Sequence, residues 1–357
     1  MKQPKIITMA QAIEQWHAFD VLLDARTPAE YAQDHLPGAA NAPVLSDQER
    51  IDIGTLYKQE SGFEAKKRGA ALTARNIADY IERECLDKPR DWRPLVYCWR
   101  GGNRSGSLAI ILAQIGFPVA QLEGGYKAFR SQVMEDLKSL SDPFEFVVLC
   151  GTTGSGKSRV LETLAQLGEQ TLDLEALAHH RGSVLGPIPD LPQPGQKQFE
   201  TRLWSALRGL DPARPVYVEC ESKKVGNVRV PDELMNNIRQ GQCIVVDSPI
   251  EQRIALLRRD YPYWERHVSQ LGERMEALVA ALGREMIAAL MDQARLGQWD
   301  DLVRTLLEKH YDPAYLKSIE RNFRFYPQAQ RQVLDGIDAP ALLTCAQQIR
   351  MTARGRS

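Results

Sequence analysis

The stretch FVVLCGTTGSGKS, Phe146 to Ser158, constrains this chain more than any other. Five apolar residues in a row read as a buried strand, and the run from Arg159 to Leu167 after the glycines reads as a helix. Between them Gly151-Thr152-Thr153-Gly154-Ser155-Gly156-Lys157-Ser158 fits G-x-x-x-x-G-K-S, in the strand-to-helix setting where that motif wraps phosphate. Backbone N–H groups of such a loop converge on an anion, the Lys157 ammonium adds a point charge, and the Ser158 hydroxyl is suited to ligate magnesium. A parallel α/β sheet and diphosphate binding follow, but hydrolysis of a nucleoside triphosphate does not.

A chain of 357 residues exceeds one comfortable core, which predicts two domains. In the first half, apolar runs at Phe19–Leu23, Leu95–Tyr97 and Val119–Leu122 and a short strand after the Gly/Pro turn at 35–44 alternate with helices, one starting near Pro28 and one over Ser105–Ile115. The polar segment from Arg130 ends in Ser141-Asp142-Pro143, a boundary signal. Strands at Val216–Glu219 and Ile244–Val246 extend the second sheet. After Ile250 the spacing is almost wholly helical, and LGERMEALVAALGREMIAALMDQA reads as an ordinary packed helix. The expected division is a parallel-sheet α/β domain over 1–135, a linker over 136–144, a P-loop α/β domain over 145–250 and its helical extension over 251–357.

Composition narrows the class. The six cysteines lie far apart with no C-x-x-C pair, which argues against a disulfide framework and against zinc. A net charge of −1 leaves any claim about nucleic acid to local clusters. No apolar stretch approaches a membrane span and the N-terminus lacks a secretory pattern, so the expectation is a cytoplasmic protein with no membrane partner.

One cysteine stands out. In YCWRGGNRSG, Cys98 ends an apolar strand and precedes a helix, where inward N–H groups and the helix dipole favour a thiolate. Arg100 and Arg104 strengthen that field, while Gly101 and Gly102 let the backbone close around an anion or a bound chalcogen atom. With Trp99, Asn103 and Ser105 they make up the active-site loop. A sulfur or selenium carrier suits this loop, and so does a cysteine phosphatase, because Cys98 and Arg104 also satisfy C-x5-R.

Candidates around the phosphate loop are less defined. Glu219, Glu221 and Asp247 follow strands and could orient a metal; no metal ligand set is certain. LDLEALAHHRGSVLG carries Asp173, Arg181 and Ser183, suited to substrate phosphate, whereas the adjacent His179 and His180 cannot share a helix face as a metal pair. Basic and aromatic residues interleave in KKRGAALTARN, RRDYPYWERH and RNFRFYPQAQR, a composition compatible with RNA.

DARTPAEYAQDHLPGAANAP, the Cys98 loop and LEGGYKAF together resemble the rhodanese family over roughly the first 135 residues, with a Cys-to-Arg loop one residue longer than the common rhodanese. That domain followed by the P-loop, LDLEALAHHRGSVLG and VECESKKVGNVRVP resembles the tRNA 2-selenouridine synthase family. The resemblance implies a transferase that replaces sulfur by selenium in wobble 2-thiouridine of tRNA. Selenophosphate from a partner enzyme would be the donor, and an S-geranylated intermediate would be made from geranyl diphosphate. It makes Cys98 the essential thiol and selenium carrier and Gly151 to Ser158 the diphosphate site, with magnesium as a candidate ion. An ATP-dependent rhodanese-type tRNA sulfurtransferase, the phosphatase and a non-catalytic tRNA-binding module are the competing readings.

Overall fold

The computed structural model describes residues 2–354, and the chain divides into two compact units. The first runs to Asp136 and includes Lys197–Ser205. Its five strands are β1 (Lys5–Ile7), β2 (Val21–Asp24), β3 (Ala39–Asn41), β4 (Pro94–Tyr97) and β5 (Ala120–Leu122). They form one parallel sheet in the order β1-β5-β4-β2-β3. Every residue of β4 is buried, as expected of a central parallel strand covered on both faces. Leu23, Val96, Leu108, Leu112 and Phe117 are part of the core on one face. Thr27 and Glu30 form a capping box that starts the helix Pro28–Gln33, which fixes the loop after β2. Sequence reading missed β1 because only one of its three side chains is buried, leaving no apolar run to detect.

The second unit holds β6 (Phe146–Cys150), β7 (Gln170–Leu172), β8 (Val216–Glu219), β9 (Lys224–Val225), β10 (Val228–Arg229), β11 (Gln242–Asp247) and β12 (Gln330–Val333). A parallel sheet in the order β12-β11-β6-β8-β7 places the fully buried β6 at its centre. β9 and β10 make a separate antiparallel pair.

After Ile250 the chain is almost wholly helical, as its spacing predicts, and it also returns as the short strand β12 beside β11. β12 is an edge strand with largely exposed side chains, so its sequence carries no hydrophobic signature. The single packed helix read over 271–294 is also broken. Gly283, at φ +81°, separates Val279–Leu282 from Arg284–Arg295, and a 3-10 turn precedes them. The helices between β11 and β12 bury Met275, Leu278, Leu290 and Leu302 in a cluster of their own. Ala339–Arg354 sets Cys345 and Ile349 against Val160 and Leu164 of the helix after the phosphate loop. Among the described residues, no helix is long and apolar enough to cross a membrane.

Candidate functional site

In the first unit, Cys98 follows β4 and the helix Asn103–Ile115 starts five residues later. Two backbones meet here with no room for side chains. A Cβ on Gly101, at φ +65°, would lie 2.4 Å from the Leu122 carbonyl oxygen, and one on Gly125, at φ +55°, would lie 2.2 Å from that of Cys98. The Tyr126 N–H donates to the same Cys98 carbonyl at 2.8 Å, locking the loop onto the turn after β5.

Cys98 is buried, at 3% exposure, and forms no disulfide. Ser105 Oγ stands 3.2 Å from Cys98 Sγ as a hydroxyl donor. Gln121 Nε2 donates to that same Oγ at 3.1 Å and to the Gly101 carbonyl at 2.8 Å. Trp99, Arg100, Gly102 and Asn103 are exposed, with the Trp99 ring 5.4 Å from that of Tyr126.

Arg104 donates to both carboxylate oxygens of Glu30, at 2.5 and 3.1 Å. Burial works against ionisation of Glu30, yet the hydrogen bonds and charge of Arg104 outweigh it and lower its pKa to about 2. Sequence reading missed both Glu30 and Gln121. Glu30 was legible only as part of a helix cap, and Gln121 is one polar residue on a buried strand whose partners are set by tertiary packing.

In the second unit, Lys157 is the first residue of the helix Lys157–Gln166 and Gly156, at φ +90°, precedes it. A Cβ on Gly151 would lie 2.3 Å from the Val246 carbonyl oxygen, so the loop passes directly over β11. The Lys157 ammonium donates to the carbonyls of Gly151 at 2.7 Å and Thr152 at 3.3 Å. The Gly151 N–H donates to the Tyr315 hydroxyl at 2.8 Å. Buried Arg253 braces the loop from outside, giving its Nε–H to the Thr153 carbonyl at 2.9 Å and gripping Asp312 with both terminal nitrogens, at 2.6 and 2.9 Å.

Around this loop lies a cleft with about 1950 Å³ of empty space, part of it open to solvent. It brings together Lys157, Ser158, Asp173, Arg181, Ser183, Glu219 and Glu221. Glu175 joins them. Asp247 does not: it pairs with Arg331 at 3.5 Å. His179 and His180 form no pair either, since His179 caps a helix at φ +50° and His180 bridges to Pro187.

The acids are strained electrostatically. Burial pushes Glu219 up to about 7, and burial with the charges of Glu221 and Glu219 holds Glu175 well above the carboxylate range. Glu221 and Asp173 are raised as well, chiefly by burial. A cation placed between these carboxyls and a bound phosphate would relieve that repulsion. Ser158 and Glu219 are the donors best suited to magnesium. Among the described residues no three acidic, histidine or cysteine side chains stand at metal-ligating spacing. Magnesium held through one carboxylate, a hydroxyl and the phosphates of its ligand does not require them.

A parallel sheet carrying a strand-end thiol loop, followed by a parallel sheet carrying a phosphate loop, defines a rhodanese-like domain joined to a P-loop domain. Residues 8–132 match the rhodanese-like domain, and residues 144–335 match the family described as tRNA 2-selenouridine synthase AAA domain. The chain belongs to the tRNA 2-selenouridine synthase family.

Relatives that bear the name tRNA 2-selenouridine synthase include three from Nitrosomonas, Sulfurovum and Alcanivorax. The Nitrosomonas europaea protein is 36% identical over 244 residues, 67% of this chain and 63% of that protein. The match therefore spans less than two thirds of that relative's length. The Sulfurovum protein is 32% identical over 330 residues, 84% of this chain and 89% of its own. That of Alcanivorax borkumensis is 32% identical over 326 residues, 82% and 88% respectively.

Proposed function

We propose that this chain is a transferase that makes 2-selenouridine in tRNA, acting on 2-thiouridine at the wobble position with selenophosphate as selenium donor. The observation that carries the reading is the pairing, on one chain, of a buried Cys98 thiol that accepts from Ser105 with a phosphate loop that carries Lys157.

The P-loop grips geranyl diphosphate through Gly151 to Ser158. The thiouridine sulfur attacks C1 of the geranyl group, the C1–O bond breaks, and its electron pair leaves on diphosphate, whose charge Lys157 and the loop amides stabilise. S-alkylation turns a poor leaving group into a thiol. The selenium of selenophosphate then adds at C2 of the base, the C2–S bond breaks, geranylthiolate departs with the pair and takes up a proton, and water cleaves the P–Se bond to release phosphate and leave selenium on C2. Cys98 serves this selenium step, with Ser105 donating to its sulfur. Ser158 and Glu219 would hold the cation that accompanies the diphosphate, Asp173, Glu175 and Glu221 surround it with further negative charge, and Arg181 and Ser183 contact the diphosphate oxygens. The reaction belongs where tRNA resides, in the cytoplasm.

The phosphatase reading is weakened because Arg104, the arginine of C-x5-R, is committed to Glu30 in a two-pronged pair. The test is mass spectrometry of tRNA nucleosides after incubation of purified chain with thiolated tRNA, geranyl diphosphate and selenophosphate. S-geranyl-2-thiouridine followed by 2-selenouridine is expected. Dependence on ATP, with sulfur delivered to unmodified uridine, would instead identify a sulfurtransferase.

A further inference from the structure

The phosphate cleft has an apolar neighbour within the same unit. A second cavity, about 620 Å³ of empty space with part of it open to solvent, shares Thr153, Leu257, Tyr261 and Tyr311 with the cleft. Thr153 belongs to the phosphate loop itself. Farther in, the wall includes Trp264, Leu271, Leu302 and Leu306, all buried side chains of the cluster built by the helices between β11 and β12.

Its two charged lining residues, Arg258 and Glu265, hold each other at 2.9 Å. Trp264 Nε1 is buried without a hydrogen-bond partner among the described residues and can only donate. The hydroxyl groups of the wall, on Thr153, Ser183, Tyr261 and Tyr311, all belong to residues shared with the cleft, so a nucleobase carried past them would lose water from donors and acceptors with little to replace it. A branched hydrocarbon loses nothing of the kind.

We infer that this cavity holds the hydrocarbon tail of a prenyl diphosphate whose diphosphate lies in the phosphate loop, and that Leu302 and Leu306 set the tail length. The inference rests on the prenyl-transfer reading above and assigns it a specificity element. Continuity through Thr153 lets one ligand span both spaces, with its charged end on amides and Lys157 and its tail among leucines and Trp264. Apolar area removed from water, less the cost of ordering the tail and the side chains around it, then makes a ten-carbon tail bind more tightly than diphosphate alone, by on the order of a hundredfold or more.

Calorimetry on the full chain with inorganic diphosphate, dimethylallyl, geranyl and farnesyl diphosphates, and ATP tests this. The unmodified chain is expected to bind geranyl diphosphate roughly a hundredfold more tightly than inorganic diphosphate, and more tightly than ATP. Equal affinity for prenyl and inorganic diphosphate, or tighter binding of ATP, overturns the inference whatever the variants do. Leu302→Trp and Leu306→Trp are expected to favour the five-carbon tail while inorganic diphosphate binds within about twofold of normal.

A benzophenone-tailed prenyl diphosphate supplies a readout independent of any variant. Crosslinks to Thr153, Ser183, Leu185 or residues 257–311 support the cavity, and crosslinks confined elsewhere overturn it. The two readings fail differently. Prenyl diphosphates that bind with this length dependence but never reach the thiouridine sulfur sink the transfer reading and leave the cavity. Geranyl transfer whose length preference ignores both tryptophans in folded variants sinks the cavity alone.

Discussion

Gln121 Nε2 donates to Ser105 Oγ at 3.1 Å, and Ser105 Oγ in turn stands 3.2 Å from Cys98 Sγ. The amide thus fills a lone pair of the serine and leaves its hydroxyl hydrogen for the sulfur or for the Gly102 carbonyl, also 3.2 Å away. Ionisation of Cys98 draws that hydrogen to sulfur, and a hydrogen bond to a charged group is worth roughly 1.5–3 kcal/mol. Ser105→Ala should therefore slow alkylation of Cys98 several-fold at a fixed neutral pH, with Gln121→Leu slowing it by less. Mass-spectrometric counting of label at Cys98 against time checks this, and unchanged rates in both variants would show the relay to be idle.

The two loops should separate genetically. Cys98→Ser is expected to stop selenium incorporation and leave geranylation of thiouridine near normal. Lys157→Ala should cut geranylation about a hundredfold or more, since it removes a charge from the leaving diphosphate. Nucleoside analysis of tRNA from both variants decides the matter; loss of both reactions in each variant would contradict the division of labour.

Glu30 and Arg104 give a pH signature. The Glu30 carboxyl has its pKa lowered to about 2 in the folded chain, so the pair's stabilisation is present above the ordinary carboxylate pKa and is lost as pH falls through about 2. Glu30→Gln should cost on the order of 2 kcal/mol at neutral pH, and the gap from the parent chain should close progressively below about pH 4.5. Denaturant unfolding at several pH values measures it. A gap that stays constant down to pH 2 would mean that the loss comes from packing rather than charge.

Gly125 tolerates no side chain. Gly125→Ala would drive a methyl group to 2.2 Å from the Cys98 carbonyl oxygen at a positive φ, which predicts a shifted thiol loop and a loss of several kcal/mol. Gly102→Ala, where a Cβ meets nothing within 4 Å, is the control. Thermal unfolding with Cys98 labelling should separate the two. Equal behaviour would refute the close approach.

How much of this was visible in the sequence depends on which physical signal each part leaves. Central strands such as β4 and β6 are buried on both faces and so spell continuous apolar runs, and the motifs that follow them announced the Cys98 and Lys157 loops. Three of the four edge strands of the parallel sheets left no such trace: β1, β7 and β12 bury only two of their ten side chains, so their assignment needed the neighbour they pair with. The same limit applies to partners. Asp173, Arg181, Ser183, Glu219 and Glu221 were picked out individually and do line one cleft, but Tyr315 on the Gly151 amide and Arg253 behind Thr153 come from 164 and 100 residues away along the chain. No local spacing encodes such a meeting.

The parallel pairing of Ile244–Asp247 with Gln330–Val333 has a practical corollary for anyone trimming this protein. Everything between those strands is a detour that leaves the sheet and comes back to it, tied at both feet, so a stop codon after Ile250 would bare a hydrogen-bonding rim and strip Leu334 from beside Gly156. Deletions meant to isolate a minimal nucleotide-type fold should spare the return strand, or the fragment will tend to recruit a second copy of itself along the open rim.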